Sequence, residues 1–254
     1  MTLRASVAGA VATITIDNPA KRNAMTAHMW RSLPILLKDL QEHPGVRVLL
    51  LTGAQGTFCA GADISDLAGI GTDTAGSNLA VAAEQALAAF PKPTVARIEG
   101  DCVGGGCQLA LACDLRVAAP GSRLGITPAR LGVVYPAVST ARLVHIVGLA
   151  NAKRLLLTAE LVPAAEALRL GLVHEIAEDL DARVELLAAT LASRSLLSQA
   201  AAKEIVALVV NDGPDAAAER VHRWMSLMRD SGEAAEGAQA FMQRRPPCFP
   251  WTPS

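Results

Sequence analysis

The segment that most restricts the fold is a triple glycine, Gly104-Gly105-Gly106, opening directly into Cys107-Gln108-Leu109-Ala110-Leu111-Ala112-Cys113. That run is apolar on nearly every side, so the helix it forms must be buried. Strand-like runs precede it at 94–98 and follow it at 114–118. The glycines let a ligand approach the backbone and aim the first N–H groups of the helix at it, a place suited to an anion or to a carbonyl becoming one. A second reading is that the glycines serve only tight packing of helix against sheet. The run is not a dinucleotide fingerprint, because Gly104-x-Gly106 lacks the third glycine, nor a P-loop, which ends in Gly-Lys-Ser/Thr.

Elements on either side follow from periodicity and punctuation. Residues 3–17 read as a hairpin around Gly9; Thr26 caps a helix to about residue 41, and Pro44-Gly45 stops it before a buried strand at 46–51. Residues 53–77, rich in Gly, Ala, Ser, Thr and Asp, form a loop long enough to be functional or mobile. A helix at 78–90 ends at Pro91-Lys92-Pro93, and a further loop covers 120–136. Helices at 138–147, 150–158 and 164–170, a short strand at 172–176, and helices at 180–193, 197–211, 215–229 and 233–243 complete the chain. Val221, Trp224, Leu227 and Met228 make an apolar stripe on the last but one of these. The fold class is α/β, with a core over 1–195 and a helical C-terminal region over 196–254 in place of two independent domains.

Composition excludes several functions. With 254 residues, 51% of them apolar, the chain can build a sizeable core and is not disordered. The balance of 23 Lys+Arg against 24 Asp+Glu leaves no basic field, so a nucleic-acid partner is not expected and a small soluble ligand is. No apolar run reaches the roughly 18 residues that span a membrane. Five cysteines, Cys59, Cys102, Cys107, Cys113 and Cys248, have no Cys-x-x-Cys pair and no histidine at ligand spacing. They read as small core residues in a reducing cytoplasm, with neither disulfide frame nor metal site. Arg4 followed by 6–11 could pass for a short signal peptide, but residues 11–16 alternate like a strand and run into the turn Asp17-Asn18-Pro19. The histidines, at 28, 43, 145, 174 and 222, lie outside the glycine loops, and Ser139 with His145 lacks a Gly-x-Ser-x-Gly elbow.

A second loop with small residues and free amides is Thr57-Phe58-Cys59-Ala60-Gly61-Ala62-Asp63-Ile64. Together with Ile98-Glu99-Gly100-x-x-x-Gly-Gly-Gly-Cys-x-Leu-Ala-x-x-Cys-Asp and residues 164–173, it resembles the crotonase, or enoyl-CoA hydratase/isomerase, family. The resemblance runs from Pro19-Ala20-Lys21-Arg22-Asn23-Ala24 to Phe241-Met242-Gln243-Arg244-Arg245-Pro246. It implies a crotonase-type spiral of ββα units, a helical C-terminal trimerisation region giving a homotrimer or dimer of trimers, and acyl-CoA thioesters as ligands. Coenzyme A would enter only as part of the substrate, with no separate cofactor. The thioester carbonyl would sit between the backbone N–H groups of Ala62 and Gly105, which stabilise an enolate. Substrate contacts fall on Ala24, Ala60, Asp63, Ile64, Gln108 and Pro128, and contacts with the nucleotide end on Lys21, Arg22, Phe241 and Arg244. Ser65 stands where many hydratases have a phosphate-contacting lysine.

Departures from the family pattern bear on the reaction. A hydratase uses two carboxylates, one activating water and one delivering a proton to the α-carbon. The first falls on Gln108, an amide that cannot act as a base, and the second on Pro128. The stretch Thr127-Pro128-Ala129-Arg130-Leu131-Gly132-Val133-Val134-Tyr135 instead resembles the methylmalonyl-CoA decarboxylase branch, with Tyr135 at that branch's pocket tyrosine and Ala62 where it has a histidine. Loss of CO₂ yields an enolate without a general base, so the resemblance implies decarboxylase-like lyase chemistry over hydration. Two other readings stand beside it: an acyl-CoA-binding member without activity, and a hydratase recruiting Asp63 or Asp66. For those two acids, capping of the following helical turn is the preferred role.

Overall fold

The computed structural model describes residues 1–66 and 78–253, so part of the loop expected at 53–77 lies outside the described residues. The chain opens as an antiparallel hairpin of β1 (Thr2–Ala8) and β2 (Val11–Asp17), with Gly9 at φ +57° in its turn. Ala12, Ile14 and Ile16 point inward at period two and are fully buried. Thr26 accepts the Met29 amide at 3.3 Å and starts α1 (Ala27–Glu42). Met29, Trp30, Leu33, Leu37 and Leu40 recur at helical spacing on its buried face, and each such large side chain contributes about 1.5–3 kcal/mol. At the far end the buried Lys92 donates Nζ to the carbonyls of Leu40 and His43, groups that a helix end leaves unpaired.

The sequence then alternates between two sheets. β3 (Val48–Gly53), α2 (Leu79–Ala88), β4 (Thr94–Ile98), β5 (Asp101–Val103), α3 (Gly105–Ala112), β6 (Leu115–Ala118) and β7 (Arg123–Gly125) follow one another. After them come α4 (Ala137–Thr158), β8 (Val162–Pro163), α5 (Ala164–Leu170), β9 (Glu175–Ile176) and α6 (Leu180–Ala192). One sheet has the order β1-β2-β3-β4-β6-β9, parallel beyond the hairpin; the other has the order β5-β7-β8. Consecutive strands such as β4 and β5, or β6 and β7, thus divide between the sheets, and the chain advances as the expected spiral.

The larger sheet is covered on both faces. Leu49 and Leu51 face the main core with α1, α2 and α3, whereas Val48, Val95 and Val117 face α6 through Leu180, Val184 and Ala188. Two expectations are corrected. The loop at 120–136 contains β7 and a 3-10 turn, Pro128–Arg130, because three residues are too few to show periodicity. The strand expected at 172–176 shrinks to β9, because the Leu172 amide closes α5 by donating to Ala167 O at 2.8 Å. The two helices expected at 138–147 and 150–158 form α4, broken at Gly148 with φ +77°.

The C-terminal region comprises α7 (Leu196–Asp212), α8 (Pro214–Ser231) and α9 (Glu233–Gln243), and few of its residues are buried. The stripe of Val221, Trp224 and Leu227 is only half-buried, with Met228 exposed, and Val206, Val209, Val210 and Met225 are also exposed. Tethers join this region to the core: Lys203 pairs with Asp114 at 2.6 Å, and Arg47 donates to the carbonyls of Ala192, Arg194 and Phe249. Trp251, in the terminal tail, packs edge-on to Trp224 with centroids 5.8 Å apart. Four cysteines are core residues as expected, but Cys248 is exposed in that tail. Burial pushes the thiols of Cys59 and Cys113 up to about 12 and that of Cys102 well above its ordinary value. Among the described residues no helix is long and apolar enough to cross a membrane, and no cluster of metal-ligating side chains occurs.

Candidate active site

Two short ladders hold the two glycine loops against each other. Cys59 pairs with Cys102 in parallel, its amide donating to Asp101 O and its carbonyl accepting from Val103 N, each at 2.9 Å. Met25 pairs with Ala62, its amide donating to Gly61 O at 2.8 Å and its carbonyl accepting from Asp63 N at 2.9 Å. Ala62 is therefore gripped on both sides, while its own N–H has no partner among the described residues. Gly105, the first residue of α3, has a free N–H for the reason every helix start does.

The three glycines have different tasks. Gly104 turns the chain from β5 into α3 at φ +53°. A Cβ on Gly105 would lie 3.4 Å from Ala62 N and 2.9 Å from Trp30 Cζ2, so Gly105 stands close to the Ala62 amide beside the indole. A Cβ on Gly106 would lie 2.4 Å from Cys59 O, and that glycine therefore serves close packing. The packing reading of the run is thus met at Gly106, while Gly105 keeps an amide without a partner among the described residues beside that of Ala62. Two preorganised donors in a dry gap can favour a developing oxyanion by roughly 3 kcal/mol each.

Neither acid beside the first loop is free. Asp63, 5% exposed, accepts Lys21 Nζ at 2.6 Å, Ser65 Oγ at 2.7 Å and Ser65 N at 3.1 Å, and so caps the 3-10 turn Ile64–Asp66. The Lys21 bond, reinforced by Ser65, holds its carboxyl below the usual range. Asp66 accepts the Ala27 amide at 3.1 Å and caps α1, a different helix from the one expected.

Behind the hole lies a carboxylate that sequence reading missed. Glu84 of α2 is 0% exposed and accepts Gln108 Nε2 at 2.8 Å, Ser139 Oγ at 2.5 Å and Arg142 Nε at 2.7 Å. A signal was present: Glu84 is the one acid in 79–88 and shares a face with Ala80, Ala83 and Leu87, all buried. Tyr135 packs on the core beside this group, and its hydroxyl is sealed from solvent without a partner among the described residues. Burial, reinforced by Cys107 and Glu84, raises the phenol well above its ordinary value, so it stays protonated. Pro128 opens the 3-10 turn and offers no acid. The indole N–H of Trp30 is likewise buried and unpartnered among the described residues.

The remaining candidates fall into two groups. Lys21, Arg22, Ala24, Ala60 and Ile64 surround the first loop: the Ala60 amide donates to Arg22 O at 2.9 Å, Arg22 Nη1 stands 3.6 Å from Asp101, and Ile64 is exposed. Phe241, 86% exposed, and Arg244 lie at the end of α9 instead. Phe241 borders a cavity of about 560 Å³ between α7, α9 and the tail, which none of the first group lines.

Comparison with known proteins agrees with this geometry. The model of the enoyl-CoA hydratase/isomerase family matches residues 6–252. A putative enoyl-CoA hydratase of Thermus thermophilus is 38% identical over 248 residues, covering 95% of this chain and 98% of its own. The crystal structure of an enoyl-CoA hydratase/isomerase family member superposes with a TM-score of 0.94 at 39% identity, over 100% of this chain and 98% of that one. That of a putative enoyl-CoA hydratase from Streptomyces coelicolor does so at 0.89 and 33% identity, over 97% and 93%. With its spiral of two sheets and its paired backbone donors, this chain belongs to the enoyl-CoA hydratase/isomerase family.

Proposed function

We propose that the protein binds an acyl-CoA thioester and stabilises its enolate between the amides of Ala62 and Gly105, with decarboxylation of a malonyl-type thioester favoured over hydration. The observation that carries this reading is the environment of Gln108. Its position offers an amide tied to Glu84, Pro128 offers no acid, and Asp63 and Asp66 are committed to caps. Glu84 is itself saturated by three donors. Chemistry that needs no base fits such a site. The bond between Cα and the carboxylate breaks, its electron pair passes into the thioester to give the enolate, CO₂ leaves, and water returns a proton to Cα. The Tyr135 hydroxyl, a donor lacking an acceptor but sealed in the resting structure, would have to turn into the site to hold the departing carboxylate.

Lys21 and Arg22 are the proposed contacts for the nucleotide end of CoA. Phe241 and Arg244 would reach the site of a neighbouring copy through the exposed apolar faces of α7 and α8, in a homotrimer or dimer of trimers. Incubation with crotonyl-CoA, methylmalonyl-CoA and a 3-enoyl-CoA, followed by mass spectrometry of the thioesters, tests the reaction. CO₂ loss from methylmalonyl-CoA is expected; rapid hydration of crotonyl-CoA would overturn the assignment. Tight binding of all three without turnover would make the protein an acyl-CoA carrier.

A further inference from the structure

Gln108 lies three residues after Gly105 on α3, on the same helix face and about 4.5 Å further along the axis. An acyl chain whose carbonyl sits at the Gly105 amide and which runs along this helix face would pass the end of this side chain, which is 4% exposed. An amide can show either its oxygen or its NH₂ group, and hydrogen bonding decides which. Glu84 decides here. Its carboxylate has only acceptors to offer and takes Nε2, which leaves Oε1 as the atom shown to the acyl chain. No described residue donates to that oxygen, and it is not among the sealed, unpartnered atoms.

We propose that Glu84 is a specificity-determining positioning residue: it fixes Gln108 so that the acyl pocket presents an acceptor there. The pocket thereby favours an acyl group with a hydroxyl beside Gln108, or a water in its place, and turns a carboxylate away from that position. The proposal rests on the acyl-CoA reading above and not on decarboxylation.

The Glu84→Gln variant tests it, because its outcome is dictated by the other partners. Arg142 Nε can only donate, so the new amide must give its oxygen to Arg142 and its NH₂ group to Gln108. Gln108 then turns over and shows Nε2 to the pocket. Calorimetry with 3-hydroxybutyryl-CoA, acetoacetyl-CoA and butyryl-CoA reads this without turnover. In the native enzyme the hydroxyl ligand binds more tightly than the keto ligand, and the substitution shifts that ratio about tenfold or more toward the keto ligand while butyryl-CoA affinity holds. Equal weakening of all three ligands, or an unchanged ratio, overturns the proposal. Should the variant fail to fold, Gln108→Met decides instead: it should erase the preference, and retention of it overturns the proposal equally. Absence of any binding by the native enzyme would remove the acyl-CoA reading and this proposal with it.

Discussion

Lys21 Nζ and Asp63 Oδ2 stand 2.6 Å apart, one residue beyond the Ala62 amide, and this pair closes the loop that carries the donor. It accounts for both residues without general-base chemistry. Asp63→Asn should lower kcat/KM by less than about tenfold and stability by about 1 kcal/mol, since Lys21 is 43% exposed and the amide keeps an oxygen for Ser65 N. The folded Asp63 titrates below its ordinary value, so it adds no limb to a pH–rate profile between 5 and 7. A limb in that range that vanished in the variant would restore Asp63 as a base.

The division of labour among the glycines separates two variants one residue apart. Gly105→Ala puts a methyl into the gap between the amides, and turnover should fall about 10²–10³-fold, equivalent to one lost oxyanion donor, with the circular dichroism spectrum retained. Gly106→Ala drives a methyl into the Cys59 carbonyl, which cannot step aside, and should cost roughly 3 kcal/mol or prevent folding. Thermal melts beside activity assays distinguish the two; equal stability losses would refute the assignment.

Tyr135→Phe removes a sealed hydroxyl that bonds nothing among the described residues. Stability should stay level or rise by about 1 kcal/mol, because an unmet buried donor carries a desolvation cost and no compensating bond. Under the decarboxylase proposal, CO₂ loss from methylmalonyl-CoA should fall at least about tenfold. A variant that is clearly destabilised would mean that the phenol has a partner in the resting protein.

Glu236 anchors the C-terminal tail through Arg245 and the Cys248 amide, and these contacts lower its carboxyl to about 2. Its folded value is depressed, so the contribution is complete above the ordinary 4.5 and is lost as pH falls toward 2. The Trp224–Trp251 contact should report this as a decline in near-ultraviolet circular dichroism over that window. In Glu236→Gln the signal should already be weakened at pH 7; an identical acid titration in the variant would place the anchor elsewhere.

Much of the fold was legible because its signals are local. Alternation gave β2, the Thr26 cap gave α1, and the all-round apolarity of 107–113 gave the buried helix. What escaped, β5, β7 and β8, consists of strands of two or three residues whose existence depends on partners far away in the chain. The site divides in the same way. The proposed donors, the amides of Ala62 and Gly105, lie beside a readable glycine pattern, whereas Glu84, Ser139 and Arg142 meet across two helices and 55 to 58 residues of chain. Only Glu84's place on an apolar face hinted at that meeting.

The four buried cysteines have a practical consequence. With Cys59, Cys102 and Cys113 shielded and their thiols raised, alkylating reagents at neutral pH should find Cys248 first. The chain thus carries its own attachment point for a fluorophore or crosslinker, in the tail that follows α9. A label there would report tail release while the donor loops remain untouched.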